Sequence, residues 1–198
     1  MPDRLKKNQL FVAGIKQINA CWYNFSITVF NSSRASTYFF ERNSMTSTSA
    51  TAINLTQGAY RISDLRSELD LVAIHAYLTQ SYWSPGIPIG TVQRAIENSL
   101  CFGLYHEGRQ IGFARVVSDF ATFGYLCDVY VLGGHRGQGL SKWLMQCIMQ
   151  HPNLQGLRRF MLATRDAHGL YQLFGFAAPA NPASLMEITK PNIYLQAQ

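Results

Sequence analysis

The chain predicts an α/β fold, a mixed central sheet flanked by helices, and three observations predict it. From residue 59 onward, short apolar runs of strand composition alternate with amphipathic helical stretches. The run over residues 125–132 is almost continuously apolar, as in a strand buried on both faces. That run then leads through a glycine-rich turn directly into a helical pattern.

Taken in order, residues 59–63 read as a short strand. Leu69, Val72, Ala73, Ala76 and Tyr77 recur at helical spacing and predict a helix over residues 67–82. The run SPGIP, residues 84–88, must break it, because proline cannot continue a helix and glycine suits a turn. Thr91 is then read as the N-cap of a shorter helix reaching about residue 98. Residues 100–105 and 110–117 are strands joined by a polar turn at 107–109, a hairpin. After the 125–132 strand come a helix over 139–150, a strand over 159–163, a helix over 167–174 and a terminal strand near 186–188.

The first part of the chain is patterned differently. Residues 43–57 (NSMTSTSATAINLTQ) are crowded with Ser, Thr and Asn without a period, and read as a linker. Residues 8–40 hold aromatic and β-branched residues in weak alternation, enough for one or two marginal strands. The expected division is residues 1–58, a poorly patterned extension with a Ser/Thr-rich linker, and residues 59–198, one well-patterned domain. Met45 stands directly before the polar run. Either residues 1–44 are an upstream extension and the working chain begins near Met45, or they form a real arm.

At 47% apolar and 14% charged residues, the chain of 198 residues has the composition of a globular protein. Of its formal charge of +6, residues 1–58 carry +4, from six Lys/Arg against Asp3 and Glu41, and the rest of the chain is nearly balanced. No basic stripe interleaved with aromatics marks a nucleic-acid surface, so a nucleic-acid binder would have to act through the basic first segment. Cys21, Cys101, Cys127 and Cys147 form no pair or cluster with metal-ligand spacing, which fits a reduced, cytoplasmic setting and no metal. No run approaches the roughly 20 apolar residues of a membrane span. The apolar patch at residues 10–15 is cut short of a signal-peptide core by Lys16 and Gln17.

The stretch DVYVLGGHRGQGLSKWL, residues 128–144, carries most of the chemistry. A strand that ends in a glycine turn and re-enters a helix presents free backbone N–H groups at the positive end of that helix, where a polyphosphate can be held. Gly137 and Gly139 allow close approach, and Arg136 adds a cation. The run is not GxxxxGK(S/T), since leucine stands where that motif needs lysine, and it fails GxGxxG after Gly137-Gln138-Gly139. What remains is Arg136-x-x-Gly139-x-Ser141. Downstream, TRDAHGLYQLFGF, residues 164–176, places Ala167, Leu170, Tyr171, Gly175 and Phe176 on a strand-end and helix.

On these two motifs the sequence resembles the GNAT superfamily of N-acetyltransferases, over about residues 59–188. The first matches the (Arg or Gln)-x-x-Gly-x-(Gly or Ala) turn after the fourth core strand, with Ser141 in place of the usual small residue. The second matches Asn-x-x-Ala-x-x-hydrophobic-Tyr followed by Gly-Phe, with Thr164 at the asparagine position. The resemblance implies the GNAT-type acyl-CoA N-acyltransferase fold. It also implies transfer of an acetyl group from acetyl-CoA, a co-substrate, to a primary amine of a small molecule or peptide in a ternary complex.

The same resemblance assigns roles. Val129, Tyr130 and Val131 would receive the pantetheine amides, and the loop of His135, Arg136, Gly137, Gln138, Gly139, Leu140 and Ser141 would hold the pyrophosphate. Thr164 and Ala167 would flank the pantetheine arm. Tyr171 would protonate the departing thiolate, or else merely pack beside Phe174. Asp128 is the acidic group best placed to take the amine's proton, or else a structural carboxylate paired with an arginine. His135 either binds phosphate or covers the loop. Trp83 and the SPGIP turn would wall the acceptor pocket. Arg158, Arg159 and Arg165 either attract the 3′-phosphate or only flank a strand. Two other readings stand beside transfer: a non-catalytic acyl-CoA-binding sensor on the same fold, and nucleic-acid binding through the basic segment. The resemblance leaves open a monomer or, as in many relatives, a homodimer.

Overall fold

The computed structural model describes residues 26–31, 34–39 and 52–195. The chain divides into two compact units, Met1–Thr48 and Ser49–Gln198. In the first, β1 (Ser26–Asn31) and β2 (Arg34–Phe39) form an antiparallel hairpin, with Ser26 opposite Phe39 and Asn31 opposite Arg34. Both fall within residues 8–40, where one or two marginal strands are expected. Cys21, Met45, the patch at 10–15 and the first part of the Ser/Thr-rich stretch lie outside the described residues.

The second unit holds a six-stranded sheet in sequence order: β3 (Asn54–Gln57), β4 (Tyr60–Ser63), β5 (Leu100–His106), β6 (Arg109–Ser118), β7 (Phe123–Val131) and β8 (Arg159–Leu162). Neighbours pair antiparallel except β7 and β8, which are parallel, so the sheet is mixed. β3 lies in the stretch read as linker. All four of its residues are exposed, so it never had to alternate apolar and polar residues, which is the signal by which a strand is recognised. The β5–β6 turn is tight, with Glu107 and Gly108 both at positive φ (49° and 80°), the geometry that suits a right-handed twisted hairpin.

Consecutive strand residues sort into two cores on opposite faces. Phe102, Ala114 and Val131 pack with α3 (Leu140–Gln150) through Leu144, Met145 and Ile148. Their neighbours Cys101, Phe113 and Tyr130 pack with α1 (Leu71–Leu78) and α2 (Ile89–Glu97) through Ile74, Leu78, Val92 and Ile96. The side-chain period of two thus makes β5, β6 and β7 apolar on both sides. Each large core side chain removed from water contributes about 1.5–3 kcal/mol, and Phe102, Phe113, Leu144 and Ile148 are fully buried.

Element ends differ from the sequence pattern for local reasons. α1 is shorter than residues 67–82, because the Asp70 carboxylate accepts the Ala73 N–H at 2.9 Å and starts the helix there. Its far end stops at Thr79, whose carbonyl is taken by the Gly86 amide at 2.9 Å. α2 opens at Pro88 rather than at Thr91: the Pro88 carbonyl accepts from Thr91 and Val92, and the Thr91 hydroxyl receives an Arg94 guanidinium N–H instead. α4 (His168–Gln172) is ended by Gly175 in the left-handed conformation (φ 85°).

The expected terminal strand near residues 186–188 does not form. A 3-10 turn over Pro182–Ser184 and the prolines at 179 and 191 bracket it, and Met186 and Ile188 stand 98% and 96% exposed. Among the described residues no helix is long and apolar enough to cross a membrane.

Candidate active site

One extra residue in β7 makes the pocket. Phe113 faces Tyr130 and Arg115 faces Cys127, so Ala114 alone opposes Asp128 and Val129. The bulge residue Asp128 adopts φ 56°, a left-handed conformation that aspartate tolerates better than most residues. β7 bends there, and β8 pairs only with Phe123–Leu126. Beyond Leu126 the two parallel strands diverge and leave a wedge.

The ladder sets which main-chain groups face that wedge. The Leu132 amide donates to the Ile111 carbonyl at 2.8 Å, toward β6. Alternation turns the N–H and C=O of Val131 to the opposite edge, where the carbonyl accepts from Arg136 Nε at 2.9 Å. The wedge opens into a cavity of about 650 Å³. Val129, Tyr130 and Val131 line one side, Leu170 and Tyr171 of α4 the other, with Arg136 and Ser141 at one end and Tyr77, Tyr82 and Trp83 above. A space of about 340 Å³ shares Tyr82, Trp83, Val129 and Tyr171 with it and adds Tyr125, Asp128 and Thr164.

The end nearest α3 is built from main chain. Gly137 and Gly139 sit at φ 77° and 78°, and Gly139 is the N-cap of α3 with no capping side chain. Among the described residues, the amides of residues 137–142 find no acceptor. They form a concave row of donors at a helix N-terminus, suited to an anion. The Arg136 guanidinium reaches across the base of this turn, bonded to Val131 O and, at 3.2 Å, to the Tyr77 hydroxyl. Gln138 is tied to β4 by the Tyr60 hydroxyl at 2.7 Å. His135 packs edge-on to Tyr60 and 5.1 Å from His106, and lines the same recess as Gly137 and Gly139. Leu140 is buried in the core and Ser141 lines the cavity.

On the opposite wall, Tyr171 is only 9% exposed, and its phenol borders both spaces. Burial, reinforced by Tyr82 and Asp166, pushes it up to about 12, so it is protonated at neutral pH. The Thr164 hydroxyl accepts the Ala167 amide at 3.1 Å and holds the turn into α4. His168 is exposed.

The remaining end is built from side chains. Asp128 Oδ2 accepts from Arg115 Nε at 2.7 Å, with the two side chains 11% and 17% exposed, and Oδ1 accepts from Trp83 Nε1 at 3.1 Å. The arginine pairing foreseen as one reading of Asp128 is present. Arg115 Nη1 also donates to the Ser99 hydroxyl at 3.1 Å. Burial opposes the charge on Arg115, but the Asp128 carboxylate more than offsets it and keeps the guanidinium charged. Tyr82 meets Trp83 edge-on at 4.9 Å, and the Arg165 guanidinium lies 3.8 Å over the Tyr82 ring.

Sequence reasoning missed Arg115, Tyr77, Tyr82 and Tyr60. Arg115 had a signal: a lone cation inside the apolar strand IGFARVV must find a partner once buried. The tyrosines had none, since each is recruited by tertiary contacts alone.

A mixed sheet whose parallel pair is split by one bulge, beside a glycine-turned helix start with free amides, defines the acyl-CoA N-acyltransferase class of fold. The family described as Acetyltransferase (GNAT) family matches residues 62–176, and the chain belongs to it. A candidate acetyltransferase of Gibberella zeae is 35% identical over 141 residues, 60% of this chain and 78% of that protein. The crystal structure of a candidate GNAT acetyltransferase from Xanthomonas campestris is 56% identical, with a TM-score of 0.67, covering 68% of this chain and 96% of the other. A candidate acetyltransferase from Deinococcus radiodurans, 18% identical with a TM-score of 0.54 over 72% of this chain and 96% of its own, shares the fold.

Proposed function

We propose that the protein moves an acetyl group from acetyl-CoA to a primary amine of a small molecule or peptide, by direct attack in a ternary complex. The observation that carries this reading is the alignment of three features along one wedge. Free amides of residues 137–142 lie at one end, the outward main chain of Val131 lies in the middle, and the protonated Tyr171 lies opposite.

In this reading the amides of residues 137–142 hold the pyrophosphate, with the positive end of α3 behind them. The edge of β7 from Val129 to Val131 pairs with the pantetheine amides like a missing strand, which brings the thioester to the Val131 N–H. That N–H stabilises the oxyanion formed when the amine attacks. Arg136 fixes the turn through Nε to Val131 and Nη2 to Tyr77, and its remaining guanidinium N–H groups stay available to the phosphates.

The incoming ammonium loses its proton to Asp128, directly or through water; each carboxylate oxygen keeps a lone pair beyond those given to Arg115 and Trp83. The neutral amine forms the new C–N bond. The adduct's nitrogen gives its second proton to water, collapse breaks the C–S bond, and Tyr171 delivers its proton to the sulfur, so CoA leaves as the thiol beside a neutral amide. Water then reprotonates the phenolate and takes up the proton held by Asp128, so one net proton is released.

Calorimetry with acetyl-CoA, followed by thiol release measured across a panel of primary amines, tests the proposal. Binding with amine-dependent release is expected. A protein that does not bind acetyl-CoA, or that binds it and releases no thiol with any amine, overturns it.

A further inference from the structure

A smaller recess opens beside Asp128 on the α1–α2 face of the sheet, and it shares no residue with the amide row. Its volume is about 200 Å³. At about 30 Å³ per water in the liquid, that is room for roughly six or seven non-hydrogen atoms. Leu78, Ile87, Val92, Ile96 and Phe113 make its walls apolar, and all five are buried. Its charged lining is a single pair, Arg115 and Asp128, bonded at 2.7 Å. That pair has capacity to spare. Arg115 gives Nε to Asp128 and Nη1 to the Ser99 hydroxyl, while Nη2 finds no acceptor among the described residues. Among those residues Asp64 Oδ1 alone is a partnerless side-chain oxygen or nitrogen sealed from solvent, so Nη2 opens on accessible space. Asp128 keeps a lone pair on each oxygen. An acceptor for an ammonium, a donor for a carboxylate and an apolar hole therefore meet at one place, and these are what the three substituents on the α-carbon of an amino acid require.

We propose that this recess is a site for a free α-amino acid with an apolar side chain of about four to seven carbon atoms, and that this amino acid is the acetyl acceptor. Its ammonium rests on Asp128, its carboxylate on Arg115 Nη2 and its side chain among the apolar walls. The second half of the proposal rests on the transfer reading above. Asp128 also borders the space that holds Val129 and Tyr171, so an amine bound to it lies where the thioester arrives. A peptide suits the recess less well. Its N-terminal residue has no carboxylate on the α-carbon for Nη2, and a lysine side chain presents an amine with none. In the transfer, the α-ammonium gives one proton to Asp128 and the amine forms the new C–N bond. The adduct's nitrogen gives a second proton to water, and the C–S bond breaks as Tyr171 protonates the sulfur. The products are an N-acetyl amino acid and CoA, with one net proton released. The amide brings Asp128 no positive charge, which favours its departure.

Thiol release from acetyl-CoA, measured with alanine, leucine, isoamylamine (leucine without its carboxylate) and a lysine-bearing peptide, tests the acceptor. Calorimetry with leucine alone tests the site without any transfer. Leucine should bind, and should exceed alanine in kcat/KM by about 50-fold, from three further carbons buried at about four-fold each. It should exceed isoamylamine by about ten-fold or more, the worth of a hydrogen bond between charged groups. Ala95→Phe fills the recess from α2 and should abolish the preference for leucine over alanine. Arg115→Lys should lower the ratio of leucine to isoamylamine about ten-fold, a ratio that general damage to the fold does not move. Isoamylamine or the peptide outperforming leucine overturns the proposal and leaves acetyl transfer standing. An undiminished leucine preference in Ala95→Phe overturns it as well. Leucine bound without thiol release from any amine keeps the amino-acid site and overturns the transfer reading; neither binding nor release overturns both.

Discussion

The two ends of the wedge are made of different material. At the α3 end the working groups are backbone amides, placed by two glycines at positive φ, and no side chain is needed for them to point outward. At the Trp83 end everything is side chain: a carboxylate shared by an arginine and an indole, roofed by Tyr82. A main-chain site depends on conformation and tolerates many side chains. A side-chain site depends on identity at scattered positions and can be rebuilt without disturbing the fold. On the proposed reading, the invariant co-substrate meets the first and the variable acceptor meets the second.

Substitutions should separate the two ends and the wall between them. The largest effect belongs to the shared wall: Tyr171→Phe should lower turnover about 100- to 10,000-fold while acetyl-CoA affinity changes less than about two-fold. With the phenol held near 12, turnover of the native chain should show no alkaline decline due to Tyr171 between about pH 7 and about 10. Stopped-flow thiol release and calorimetry read these outcomes, and unchanged turnover would remove Tyr171 from the acid role.

Gly139→Val comes next. A Cβ there would meet nothing within 4 Å, so the damage is conformational: a β-branched residue cannot hold φ 78° and the amide row turns away. Acetyl-CoA should bind about 100-fold more weakly, and tight binding would contradict the backbone account of that end.

Asp128→Asn keeps the shape and the left-handed backbone but strands the buried Arg115 charge. Urea unfolding should report a loss of about 2 kcal/mol, below the full cost of an unpaired buried charge because both side chains retain some solvent access. Trp83→Phe, which removes the 3.1 Å indole donor and shrinks the ring packed beside Tyr77 and Tyr82, should raise the KM for the amine about five-fold, about 1 kcal/mol, with acetyl-CoA affinity unaltered. If Trp83→Phe instead weakened acetyl-CoA binding, the division between the ends would fail.

The same division explains what could be read in advance. The glycine turn was legible because its chemistry is written in consecutive residues, 135–141, with a strand before and a helix after. Tyr171 was legible by its register with Ala167 and Phe176. The strands β4 to β8 were legible because burial forces an apolar pattern. β3 was not, since its four exposed residues answer to hydrogen bonding alone. An arginine partner for Asp128 was one open reading, but that Arg115 of β6 supplies it and that Trp83, from the turn after α1, joins the same carboxylate was not legible, because convergence over such sequence separations leaves no local pattern. Residues 186–188 alternate apolar and polar residues as a strand does and are none, bracketed by the 3-10 turn over Pro182–Ser184 and by Pro191.

The bulge at Asp128 has a further consequence. The surplus residue stands two positions past Leu126, the last residue of β7 paired with β8, and carries its carboxylate at the mouth of the gap, so the crevice and its electrostatic fitting share one origin in the chain. Deleting that residue would restore an unbroken ladder between β6 and β7 and remove the bend that carries β7 clear of β8. The result would be a better sheet with no room for a guest.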